Sequence, residues 1–313
     1  MGKSGRDAKI KHDESYVQRF SLRLPGEHAK ALKMRLAAIM LIFKEQYFIE
    51  AAVRAIYPVV DSICCASRHD RNFSGNAVAP DETLDVLLRI PDPDDKIKLV
   101  VQRDLSPVPG GNSEARLRNA AMALDPQADY YLIVDTDEIW SVDVLRKCWD
   151  EVQRTHRAAY RISSHTYFRK WNYRVVEPGD GYRPLVFVRN GFYFEQDRQI
   201  QWHSPARWKE YLRTGRKPKT VYFPPELRLH HGSSVGDDAR ILTKINNYGH
   251  AGGVDPEWFE RVWKNFHPGI RNFHYFKAGA HLFESIVAIP TSELPEEITR
   301  CSWPEGWIEK SQA

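Results

Sequence analysis

Apolar residues run without a break from Leu36 to Phe43 (LAAIMLIF), which predicts a short strand buried on both faces. The chain before it, residues 1–33, is a polar lead-in, with one short edge strand expected at Val17 to Leu22. Beyond the run, Phe48, Ala51, Ala52 and Ala55 recur at helical spacing, so a helix is expected from Phe48 to Tyr57, stopped by Pro58. VVDSICCA (Val59 to Ala66), IKLVV (Ile97 to Val101) and YYLIV (Tyr130 to Val134) predict three more strands. Ser113 to Leu124 predicts a helix, with Ser113 as a cap before a run of good helix formers. Strands alternating with helices predict an α/β fold: a mostly parallel sheet flanked by helices.

Further on, Asp143 to His156 predicts a helix, and Ala158 to Ile162 and Leu185 to Val188 predict strands. RTGRKPK (Arg213 to Lys219) predicts an exposed turn. Helices are expected at Asp237 to Gly249 and Asp255 to Phe266, the second with Pro256 in its first turn and an apolar stripe of Trp258, Phe259, Val262 and Trp263. Residues 34–240 are read as the main domain, divided at residue 140, and 241–313 as a C-terminal helical extension.

Hydrophobic residues make up 42% of the 313 positions and charged ones 27%, which excludes a disordered or low-complexity chain. A net charge of +4 is too small to announce nucleic-acid binding through bulk charge. The apolar run is far shorter than the roughly 20 residues of a membrane helix. The opening MGKSGRDAKIKHDE has no apolar signal core, and Cys64, Cys65, Cys148 and Cys301 contain no CxxC pair. A soluble, cytoplasmic protein without disulfides is expected.

The most informative segment is YYLIVDTDEIW, Tyr130 to Trp140. Asp135, Asp137 and Glu138 follow directly on four apolar residues, at the carboxyl end of a predicted strand, where open α/β sheets bind ligands. Three carboxylates in a dry site repel one another, and a divalent cation such as Mg2+ or Mn2+ removes that cost. The competing reading is that these acids only cap the next helix.

This segment resembles the DXD motif of GT-A-fold glycosyltransferases, the family-two-like and family-seventeen-like groups in particular. LIFKEQYFIEAAVRAIYPVVDSICCAS resembles their opening unit, GNSEARLRNAAM their helix before the metal strand, and LRLHHGSS followed by KINNYGH their late histidine and basic segments. The resemblance covers about Arg35 to His267. It departs after the second strand, where SRHDRNFSG stands in place of a D-x-S-x-D run and leaves Asp70 as the donor-base candidate. It implies a GT-A (Rossmann-like) fold, with residues 34–140 as the nucleotide-sugar half and 141–240 as the acceptor half. It also implies a nucleotide-sugar co-substrate, a Mn2+ or Mg2+ cofactor and transfer with inversion. Asp137 is the foremost metal ligand, Asp135 touches the metal or the donor ribose, and Glu138 buttresses them. His230 or His231 adds a ligand. Arg118, Lys244 and His250 are donor-side candidates. The base that deprotonates the acceptor hydroxyl is sought in FEQDRQIQWH, among Glu195, Asp197 and His203.

Acceptor contacts are expected in TYFRKWNYR (Thr166 to Arg174) and ARWKEYLRTGRKPK (Ala206 to Lys219), where aromatics interleave with Arg and Lys. Such segments suit the bases and phosphates of duplex or single-stranded DNA, a hydroxymethylated base being one acceptor, and equally suit carbohydrate, lipid-linked or protein acceptors; they can also be core aromatics with solvated charges. Two other readings compete. A nucleotidyltransferase would need a glycine-rich or basic loop near the first strand, which LIFKEQ does not offer. A non-catalytic nucleotide- or nucleic-acid-binding module would not need Asp135 and Asp137.

Overall fold

The computed structural model describes residues 34–68, 72, 76–102, 113–176, 182–196, 198–200, 208–209, 211–212, 219–247, 251–276 and 282–309. The polar lead-in with its Val17 to Leu22 strand, most of the RTGRKPK turn, and Asp70, Asp197, His203 and His250 lie outside the described residues.

The apolar run becomes β1 (Leu36–Ile42), every residue of it buried. It is followed by α1 (Ile49–Ile56), β2 (Ser62–Ser67), α2 (Thr83–Arg89), β3 (Ile97–Val101), α3 (Ser113–Met122) and β4 (Tyr130–Asp135). Alternate residues of β1 feed separate cores: Leu36, Ala38, Met40 and Ile42 pack on the α1 side, while Ala37, Ile39 and Leu41 pack on the α3 side. That is why β1 reads as continuously apolar rather than alternating. Cys65 and Cys64 divide between the same two cores, and burial pushes both thiols up, as expected of inert structural cysteines.

The second part of the chain forms β5 (Glu138–Ile139), α4 (Val142–Thr155), β6 (Ala159–Arg161), β7 (Ser163–Val175), β8 (Leu185–Arg189), β9 (Phe194–Gln196), β10 (Gln199–Ile200), β11 (Thr220–Tyr222), β12 (Arg228–Val235), α5 (Asp238–Asn247), β13 (Ile286–Ala288) and α6 (Glu296–Thr299). The main sheet has seven strands in the order β11-β6-β8-β4-β1-β2-β3. From β4 through β1 and β2 to β3 it is parallel, and β8 pairs antiparallel with both β4 and β6. The expected α/β class holds.

This strand order decides where a ligand can sit. From β1 the chain winds outward through β2 and β3, then returns to place β4 on the other side of β1. The connections after β1 and β4 therefore diverge and open a crevice at their carboxyl ends. Asp135 lies there, in register with Leu41.

A smaller sheet, β13-β7-β12-β5, was not foreseen. It overturns the reading of TYFRKWNYR as an aromatic acceptor surface. Those residues belong to β7, where Tyr167, Phe168 and Trp171 are fully buried. Tyr167 and Trp171 join the main core, and Phe168 centres a satellite cluster with Trp258, Trp263, Phe273 and Phe283. The apolar stripe at Trp258 to Trp263 is buried as expected, but it forms a wide turn with the Lys264 amide bonded to the Phe259 carbonyl at 2.9 Å. The C-terminal part is less helical than expected, since short turns dominate it and β13 returns to the edge of β7. Among the described residues, no helix is long and apolar enough to cross a membrane.

Candidate functional site

The crevice holds an open cavity of about 370 Å³, a volume typical of small-ligand sites. Leu41, Phe43, Lys44 and Glu45 line it from the end of β1, and Asp135, Thr136 and Asp137 from the end of β4. Glu114 and Arg118 of α3, Thr243, Lys244 and Asn247 of α5, and His231 and Ser233 of β12 complete the polar part, with Tyr182 beside them. His274, Tyr275, Phe276 and Leu282 add a part of the lining that is richer in aromatics.

The DTDE turn is built by its own side chains. The Asp135 amide donates to Glu138 Oε2 at 3.0 Å, which folds the chain tightly between β4 and β5. Glu138 is fully buried. It also receives Arg198 Nη2 at 2.6 Å and the Tyr182 hydroxyl at 2.9 Å. Burial raises its carboxyl above the ordinary range, and Arg198 opposes that rise. Glu138 thus buttresses the turn.

Asp135 lies between two guanidinium groups. Arg118 Nη2 reaches Oδ1 at 3.0 Å and Arg198 Nη2 reaches Oδ2 at 2.9 Å. Arg118 is nearly fully buried and also meets Glu114 at 3.4 Å. Helix α3, which precedes β4, therefore contributes an arginine that both holds Asp135 and borders the cavity.

Asp137 is buried and pairs with Lys244. Burial alone would raise its carboxyl, but the Lys244 ammonium, with His231 and Arg240 behind it, holds it well below the usual carboxylate range. Burial works against the charge on Lys244 in turn, and Asp137 and Glu45 more than restore it. Glu45, from the loop after β1, also takes Arg240 in a fork, with Nη2 at 3.0 and 2.9 Å.

The two neighbouring histidines separate because successive strand residues face opposite ways. His231 borders the cavity, stacks on Tyr182 with ring centroids 4.5 Å apart, and has a buried Nδ1 with no hydrogen-bond partner among the described residues. His230 points away from the cavity, its Nδ1 2.7 Å from the Tyr167 hydroxyl, and burial pushes it down to about 3. Of the two histidines left open by the sequence, His231 is the one that borders the cavity. Glu195 is exposed on β9 and does not line the cavity.

Among the described residues, no group of three or more His, Cys, Asp or Glu side chains is placed to hold a metal ion. Of the cavity-lining groups, the Asp137 carboxylate and the His231 imidazole are donor types that a divalent cation takes. A Mn2+ or Mg2+ site commonly leaves several positions to water and phosphate oxygens, so two protein donors suffice for that class of ion.

Glu45, Tyr182, Arg198 and Arg240 went unrecognised in the sequence. Arg198 sits in FEQDRQIQWH beside the residues read as candidate bases. Glu45 follows the first strand, where the crevice rule alone could have marked it.

No protein-family model matches the chain, and no curated protein sequence matches it. Among solved structures it is similar to crystal structures of S. aureus TarS. The residue 1–349 form in complex with UDP-GlcNAc is 15% identical, with 42% of this chain and 35% of that chain covered and a TM-score of 0.33. The same form in complex with UDP is 13% identical, with 74% of each chain covered and a TM-score of 0.41. A further TarS structure is 12% identical, covering 74% of this chain and 46% of that chain, with a TM-score of 0.41. This chain spans about a third of the length of the first of these. Scores this low leave the site to be judged on its own geometry.

Proposed function

We propose that this chain is a nucleotide-sugar-dependent glycosyltransferase of the GT-A type. The observation that carries the reading is the meeting of Asp135 and Asp137, Arg118, Lys244 and His231 around one cavity at the β1–β4 crevice. A sugar nucleotide needs cations around its diphosphate and room for a sugar and a base beside it. The cavity combines charged groups with a part of the lining richer in aromatics in that sense.

In the reaction, the bond between the anomeric carbon and the outer phosphate oxygen breaks. The acceptor oxygen bonds to that carbon, its proton passes to a carboxylate or imidazole base, and the nucleoside diphosphate leaves. Negative charge grows on the leaving phosphate, and cations fixed in a poorly solvated site stabilise that charge. Asp137 and His231 would hold a divalent cation, which supplies Lewis-acid stabilisation when bound, and the imidazole favours Mn2+ over the harder Mg2+. Lys244 supplies a mobile ammonium on the same side. Arg118 and Arg198 hold the Asp135 carboxylate in place at the cavity. Inversion needs a base for the acceptor proton, and Asp197 or His203 is the residue we assign to it.

A thermal-shift panel of sugar nucleotides, each with and without Mn2+, tests the reading, because a ligand bound only by the fold raises its apparent stability. One donor should give a Mn2+-dependent rise that Asp137→Ala abolishes. Absence of any nucleotide-dependent rise contradicts the reading. With the donor known, transfer to duplex DNA containing hydroxymethylated bases and to oligosaccharides separates the acceptor classes.

A further inference from the structure

At the cavity wall, four charged side chains balance one another. Lys244 Nζ donates to Glu45 Oε1 at 3.0 Å and pairs with Asp137. Arg240 closes the set on Glu45, and is itself held by the carbonyls of Ser233 at 3.1 Å and Val235 at 2.6 Å. It also lies over the Phe48 ring, 4.2 Å from the centroid. Arg240 is thus fixed, whereas Lys244 hangs from the last turn of α5 with its end at the cavity wall. The charge of Asp137 is therefore already matched by an ammonium that belongs to the chain.

We propose that Lys244 is a resident counter-cation that a divalent ion must displace from Asp137, so that the ion binds together with a diphosphate and not ahead of it. The inference rests on the glycosyltransferase reading in taking Asp137 and His231 as the donors for that ion. A divalent ion arriving alone would meet an ammonium at contact distance in a poorly solvated place, and like charges repel strongly there. Without Asp137, Lys244 would keep, among the described residues, only the Glu45 carboxylate, which Arg240 already occupies. A diphosphate removes the conflict, because its oxygens can accept both the ion and the ammonium. Thr243 and Asn247 border the same cavity, so the face of α5 that carries Lys244 looks onto the ligand space. The flexible four-carbon stem of lysine lets its charge move from Asp137 to a phosphate oxygen without a backbone shift. Because coupling between two ligands is reciprocal, each would raise the affinity of the other by the same factor.

The test is Mn2+ binding to the full chain, followed by electron paramagnetic resonance, for wild type, Lys244→Met and Asp137→Asn. Each is measured with and without inorganic pyrophosphate, correcting for Mn2+ complexed by pyrophosphate in solution. Without pyrophosphate, Lys244→Met is expected to bind Mn2+ at least tenfold more tightly than wild type. Pyrophosphate should tighten Mn2+ binding at least tenfold in wild type and clearly less in Lys244→Met. Lys244→Gln, with thermal melts of every variant, guards against a folding defect. Equal or weaker Mn2+ binding by both Lys244 variants without pyrophosphate overturns the inference. Failure of the underlying reading looks different: wild type with pyrophosphate would then bind no Mn2+, or bind it equally well in Asp137→Asn.

Discussion

The Gly232 amide donates to the Asp137 carbonyl at 2.8 Å, and this bond joins two segments that are far apart in sequence into one site. It extends the antiparallel pairing of β12 with β5, in which His231 stands opposite Glu138. The pairing carries the His231 ring to the cavity wall beside Asp137.

Gly232 is required there by close approach. A Cβ at this position would lie 2.6 Å from the Trp171 ring and 2.7 Å from the Phe48 ring, both fully buried. Gly232→Ala is therefore expected to cost about 1–3 kcal/mol through overpacking, measured by urea denaturation. Ligand binding should weaken with it, because β12 carries His231.

Arg198 is the second position where one side chain supports several others. Its Nη2 reaches both Glu138 and Asp135. Arg198→Gln leaves the fully buried Glu138 without its cation, and a loss of roughly 3–5 kcal/mol is expected on equilibrium unfolding. Tyr182→Phe removes one neutral donor to Glu138 and should cost only about 1 kcal/mol. Equal effects from the two substitutions would show that the charge on Arg198 is not what matters.

Acid should destabilise the smaller sheet. Burial, then Arg174 and Arg228, lowers His165 from its ordinary 6.5 to about 4. His230, its neighbour across β7 and β12, is lowered by burial, His165 and Arg174. Both rings bind protons more readily in the unfolded chain. Stability is thus complete above about pH 6.5 and falls as the pH drops toward the folded values. The urea midpoint should decrease between pH 7.5 and pH 5, and decrease less in His165→Asn.

Asp137→Ala should leave the fold intact. Lys244 keeps Glu45 as a partner, and Asp137 borders an open cavity rather than the apolar core. Circular dichroism should be unchanged, while transfer falls by about 10²-fold or more, as when one element of charge stabilisation is lost.

Much of this site was visible in the pattern of residues. Leu36 to Ile42 and Tyr130 to Val134 are apolar on both faces because parallel central strands are covered on both sides, so their positions and the carboxylates that follow could be read directly. Arg118 and Lys244, singled out through the motifs around them, line the cavity. The smaller sheet was not legible. The pairing of β7 with β12 is a long-range property, and the alternation of aromatics with Arg and Lys in β7 suits a surface as well as a strand with one buried face. Glu45, Arg198 and Arg240 were missed for a related reason. A charged residue is normally solvated, and only the folded chain shows that these three meet opposite charges away from water.

The central claim is that Asp137 and the cations around it receive the diphosphate of a sugar nucleotide. Isothermal titration with the donor selected by the thermal-shift panel tests it most directly. Binding should require Mn2+ and disappear in Asp137→Ala. The same affinity in wild type and Asp137→Ala, with or without Mn2+, would contradict it.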